Sequence, residues 1–134
     1  MRKLIFASIL LLAPALAPAA GGGAPLQAAN IDLKDQASLQ RGAGHFVNYC
    51  MGCHSLQYMR YNRMAADLGI DEATLRQNLI PTGAKPGDLM HTAMGAENAE
   101  KWFGTAPPDL TLVTRWRNPD WLYTYLKTFY ADPS

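Results

Sequence analysis

Both cysteines of the 134-residue chain lie in one short stretch, "NYCMGCHSLQYMRYNR", residues 48–63. Cys50 and Cys53 are three positions apart and His54 follows directly. The pattern C-x-x-C-H is that of c-type haem attachment. Two thiols at this spacing on one helical turn reach the two vinyl groups of a porphyrin edge and become thioethers. The next residue brings an imidazole under the iron. Three other chemistries use similar residues less well. A thioredoxin-like redox pair needs a strand–helix setting that is absent here. A zinc site would have to recruit His45 or His91, with Cys53 and His54 crowded into an awkward tetrahedron. A disulfide at this spacing would be strained.

The sixth iron ligand would decide what such a haem does. Methionine opposite histidine raises the potential and gives a sealed electron carrier, whereas an open position invites ligand binding or peroxide chemistry. Met59 and Met64 follow the cysteines too closely to reach across a porphyrin. Met90 and Met94 lie in a loop at a workable distance, and Met94 is the in-chain candidate, although methionine also serves as filler around a large apolar group. His91 is a weaker candidate. His45 is expected to face solvent or cap the first helix.

Helices must position these groups. "SLQRGAGHFVNYC" spaces Leu39, Ala43, Phe46, Val47 and Cys50 on one face from Ser38. A second helix is predicted over Leu56–Leu68, ended by Gly69, and a third over "DEATLRQNLI", opened by Asp71 and closed before Pro81. Residues 81–96 read as loop, Ala96–Phe103 as a short helix and "GTAPPDL" as rigid irregular chain. Asn118 caps a last helix, with Pro119 at its first position and Asp120 at its positive end. No alternating run is long enough to propose a sheet, so the expected class is all-α with long loops. Trp121, Tyr125 and Phe129 share a stripe expected to pack on Phe46.

The beginning of the chain has its own logic. "MRKLIFASILLLAPALAPAA" joins a basic start (Arg2, Lys3) to an apolar run and small residues, the layout of a secretory signal. Pro14 and Pro18 interrupt it, and the run is shorter than the ~20 residues of a spanning helix. Ala17, Ala19 and Ala20 all suit cleavage. Residues 1–20 are therefore read as signal, 21–37 as a flexible lead whose first part, Gly21 to Asn30, has nothing to pack, and 38–134 as one small domain in an exported protein. Losing the signal removes two of twelve Lys/Arg and none of eleven Asp/Glu, leaving a net charge of −1. That balance carries no footprint for nucleic acid.

Several segments in this order resemble cytochrome c1, the haem subunit of the bacterial cytochrome bc1 complex (quinol–cytochrome c reductase). They are "NYCMGCHSLQYMRYNR", "WFGTAPPDL", "DWLYTYLKTFYADPS" and the entry Leu39-Gln40-Arg41-Gly42. The resemblance implies a cytochrome c-like fold around one haem c. Cys50 and Cys53 would carry the thioethers and His54 the iron. Pro107 and Pro108 would line the haem edge. Arg117, or its neighbour Arg115, would meet a propionate. It further implies an electron-carrier subunit, with no catalysis of its own, beside cytochrome b and the Rieske iron–sulfur protein at the periplasmic face. It would take electrons from the Rieske protein and pass them to a soluble c-type cytochrome. By the same resemblance the sixth ligand is a methionine beyond Ser134, and a C-terminal membrane anchor follows it, so the chain reads as a truncated member. A stand-alone carrier using Met94 and an open-site peroxidase or ligand sensor are the alternatives. Asp67, Asp71, Glu72, Glu97 and Glu100 could steer a basic partner, or be ordinary solvated acids.

Overall fold

A computed structural model describes residues 25–81 and 83–129. The expected signal peptide, 1–20, lies outside the described residues. The first helix, α1 (Gln36–His45), starts two residues before Ser38, because the Asp35 carboxylate accepts the Ser38 N–H and caps it. It then widens into a π-helical turn, Phe46–Cys50, closed by the Met51 N–H on the Phe46 carbonyl at 2.9 Å. The Asn48 side chain donates to the Gly44 carbonyl at 2.7 Å. This competes with the ordinary helical bond at a stretch already loosened by Gly42 and Gly44. The widened turn leads straight into the C-x-x-C-H segment.

The chain next runs extended. Strand β1 (Leu56–Arg60) pairs antiparallel with β2 (Leu89–Met90), with an irregularity between Leu56 and Arg60. The helix predicted from Leu56 therefore begins only at Tyr61, as α2 (Tyr61–Asp67). Its end agrees with the sequence: Gly69 takes a φ of 62°, a left-handed conformation glycine adopts without strain. Helix α3 (Glu72–Asn78) follows, capped by Asp71 on the Thr74 N–H. Next come α4 (Ala96–Phe103), α5 (Val113–Arg117) and α6 (Pro119–Lys127). Asn118 caps α6 through the Trp121 N–H at 2.8 Å. With six α-helices among the described residues and one short ladder, the class is mostly α and cytochrome c-like.

The core joins α1's end, α2, α3 and β2. Val47, Met51, Tyr61, Met64, Ala65, Leu75, Leu79 and Met90 form one buried cluster, with Phe46, Leu56 and Met59 against its edge. The aromatic stripe of α6 does not join it. Trp121 stacks on Tyr125 at 5.0 Å, and Tyr125 meets Phe129 edge-on at 5.1 Å. Tyr125 and Phe129 stay 47% and 68% exposed, so the expected seat on Phe46 is not taken. Instead α6 is covered by the lead, which does find something to pack on. The Gln27 N–H donates to the buried Thr124 hydroxyl and the Ala29 N–H to the Asp120 carboxylate, both at 2.8 Å. Leu26 borders Trp121 and Tyr125. No helix among the described residues is long and apolar enough to cross a membrane.

Candidate haem centre

The turn after Cys50 closes on itself. The Cys53 and His54 amides both donate to the Cys50 carbonyl, at 3.1 and 2.8 Å. Cys50 is half-buried, Cys53 is exposed, and both are free thiols. Met51, between them, points inward: it is 2% exposed and its sulfur accepts the Tyr61 hydroxyl at 3.6 Å. The turn is thus rooted in the core by Met51 and presents its thiol at Cys53 outward.

His54 is oriented by a single strong contact. Its Nδ1 lies 2.7 Å from the Pro108 carbonyl oxygen. A carbonyl only accepts, so Nδ1 donates its N–H there and Nε2 is the nitrogen left to ligate. A metal-binding histidine is held in this way, with its far N–H on a backbone carbonyl and the other nitrogen free to ligate. The donor set therefore fits a haem iron: one oriented imidazole beside two free thiols at haem-attachment spacing.

Two strands of loop flank the turn. On one side the Ser55 carbonyl accepts the Leu110 N–H at 2.9 Å, and the Gln57 N–H donates to Asp109 at 2.7 Å. On the other, Thr92 bonds to both Gly52 and Ser55, at 2.9 Å each. Between them lies a cavity of about 380 Å³, bordered by Cys53, His91, Thr92, Met94, Pro107 and Asp109. Pro107 is half-buried and Pro108 exposed. Pro108 acts through its carbonyl, a role the sequence did not single out. Met94 borders the cavity, whereas Met90 is 0% exposed and packs in the core. His91 and His45 are exposed, and His45 meets Tyr49 edge-on.

Arg117 stands off this cluster. Its guanidinium lies over Trp116 at 4.0 Å and Trp121 at 4.9 Å, a cation held between two aromatic faces. Arg115 is exposed. The acidic groups that might steer a partner are largely occupied at home. Asp67 pairs with Arg63, Glu72 with Arg76 and Glu97 with Lys101, each one helical turn apart.

Asp109 ties the 108–111 segment to β1. Burial pushes its carboxyl up, but the Thr111 side and the Gln57 and Thr111 amides outweigh that and hold it below the ordinary carboxylate range, helped by His91. The Thr111 hydroxyl faces this carboxylate without closing a well-formed bond. A depressed folded pKa stabilises the fold above the unfolded value, and that stability is lost as pH falls through the folded one. Asp109→Asn is expected to lower stability at neutral pH by on the order of 1 kcal/mol, since the site is partly solvated. It is also expected to flatten the fall in the urea midpoint on acidification. An unchanged acid slope would remove Asp109 from this role.

The sequence profile described as the Cytochrome C1 family matches residues 28–134. The chain belongs to the cytochrome c1 family. It is 70% identical to cytochrome c1 of Allochromatium vinosum over 98% of its own length and 54% of that protein's. It is 52% identical to a protein of Nitrosomonas europaea named ammonia monooxygenase gamma subunit, over 93% and 53%. It is 28% identical to cytochrome c1 of Rhodospirillum rubrum, over 98% and 57%. The chain thus spans about half the length of the curated relatives it matches. Membership of the cytochrome c1 family supports a haem-bearing electron-transfer subunit.

Proposed function

We propose that Cys50 and Cys53 hold one haem c through two thioethers and that His54 supplies its proximal nitrogen. The observation that carries this reading is the His54 ring, fixed by the Pro108 carbonyl at 2.7 Å with its other nitrogen free, on the turn that holds the two thiols. The bound haem would supply one-electron chemistry, its iron cycling between ferric and ferrous states. The chain's part is to bind and orient. The Pro108 carbonyl takes the N–H of Nδ1 and so leaves Nε2 to ligate. Met51, buried beneath the turn, ties the backbone between the two cysteines to the core. Pro107 lends an edge with no N–H to satisfy. Arg117, stacked on two tryptophans apart from the cavity, would be the cation for a propionate by family likeness alone.

In the complete protein we assign the haem a relay role within the quinol–cytochrome c reductase, beside cytochrome b. There the subunit would take one electron from the Rieske iron–sulfur protein and pass it to a soluble c-type cytochrome at the periplasmic face. Family membership supports this assignment. With three of the five candidate acids paired on their own helices, broad acidic steering by those residues contributes little.

The test is the visible spectrum and denaturing gel of the protein made in an exporting host with haem-attachment machinery. Haem that stays with the denatured chain, and is lost in the Cys50→Ala/Cys53→Ala variant, is the expected result. Haem that washes out of the unaltered chain overturns the attachment. The weak far-red band of a methionine–ferric bond reports the sixth position. If Met94→Leu removes it, Met94 is the ligand; if the band survives, the ligand lies elsewhere in the protein.

A further inference from the structure

We propose that Thr92 is a positioning residue for the haem, acting as the outer clamp of the attachment turn and through it on the His54 ring. The inference rests on the haem reading above. The turn has a weak point at Gly52, an exposed glycine between the two cysteines with open space where a Cβ would stand. Met51 anchors one side of it in the core, and the Pro108 carbonyl holds the His54 ring. Gly52 itself has no side chain to restrain it, and glycine gives up more backbone freedom on ordering than any other residue.

Thr92 makes good this lack from the loop after β2. Its hydroxyl donates to the Gly52 carbonyl at 2.9 Å and accepts the Met94 N–H at 3.2 Å. Its own amide donates to the Ser55 hydroxyl at 2.9 Å. One residue therefore grips the turn two positions before His54 and one position after it. On the opposite flank, Leu110 holds the Ser55 carbonyl. The imidazole's direction is set by the backbone on which it stands, and that backbone is bridged on both sides. The same hydroxyl orders Met94, which borders the cavity with Cys53. Valine has the same shape and keeps the backbone bond to Ser55, but it makes neither hydroxyl bond. In Thr92→Val the Gly52 carbonyl and the Met94 amide would both lose their partner.

The test uses the full-length haem-loaded protein. The readouts are the paramagnetic NMR shifts of the haem methyls, which report the imidazole plane, and the reduction potential. Attached haem per chain is measured alongside. Thr92→Val is expected to redistribute the methyl shifts, move the potential and lower attached haem by up to about tenfold. Thr92→Ser, which keeps the hydroxyl, is expected to restore all three. Unaltered shifts and potential in Thr92→Val overturn the proposal. Should that variant not accumulate, Ser55→Ala removes the acceptor of the Thr92 amide and is read the same way. Changed methyl shifts there support the clamp, and unchanged ones overturn it. A wild-type protein without covalent haem overturns the haem reading itself, before any Thr92 variant is made.

Discussion

Replacing His54 by alanine is expected to remove the low-spin haem signature of the protein, and imidazole added to the buffer is expected to restore it. The expectation follows from the one contact that orients the ring. With Nδ1 protonated toward the Pro108 carbonyl at 2.7 Å, Nε2 is the nitrogen left to ligate. Alanine removes that nitrogen and leaves a hollow beside Pro108, into which free imidazole fits. The two thiols at Cys50 and Cys53 are untouched, so whatever haem is attached stays attached. The expected loss of low-spin haem per chain is at least about tenfold, the scale on which oriented ligand histidines matter. Rescue by imidazole separates a missing ligand from a misfolded turn, since a misfolded turn would not be repaired by a small base. A low-spin spectrum that persists in His54→Ala without added base would show that another residue holds the iron, and the reading of the C-x-x-C-H turn would fall.

The site was more legible than its supports, for a physical reason. The chemistry at residues 50–54 is local: its spacing is written in adjacent positions and needs no partner to be recognised. Local signals also located the caps well. Asp71 accepts the Thr74 amide, and Asn118 accepts the Trp121 amide with Pro119 at the first helical position. Strand β1 was missed because five residues of mixed character read equally as helix or strand, and its partner, Leu89–Met90, comes about thirty positions later. The π-turn at Phe46–Cys50 depends on one side-chain bond, Asn48 to Gly44, which periodicity does not register. The contacts that fix His54 and Gly52 come from Pro108 and Thr92, residues 54 and 40 positions away. The lead was read as unattached for the same reason. Its anchors, Asp120 and Thr124, lie 91 and 97 positions downstream.

The core and the site share one residue pair, and a substitution there should be felt in both. Tyr61 is 0% exposed and packs within the cluster that includes Val47, Met64, Leu75 and Met90. Tyr61→Ala is expected to cost about 3–5 kcal/mol from lost transfer energy and the cavity left behind. A domain of this size commonly has about 5–15 kcal/mol in total, so the urea midpoint should fall by about a fifth or more. Tyr61→Phe keeps the ring and loses only the hydroxyl's contact with the Met51 sulfur at 3.6 Å. A thioether is a weak acceptor, so that loss should be about 1 kcal/mol or less. The pair divides packing from anchoring. If packing alone holds the turn, Tyr61→Phe should attach haem as well as the unaltered chain, and Tyr61→Ala should attach it in proportion to its folded fraction. If the hydroxyl's grip on Met51 matters, Tyr61→Phe should shift the haem-methyl resonances at nearly unchanged stability. Because Met51 sits between Cys50 and Gly52, with its side chain buried beside Tyr61, the second outcome is the one expected. A Tyr61→Ala protein with an unchanged urea midpoint would mean that this cluster is not the centre of the fold.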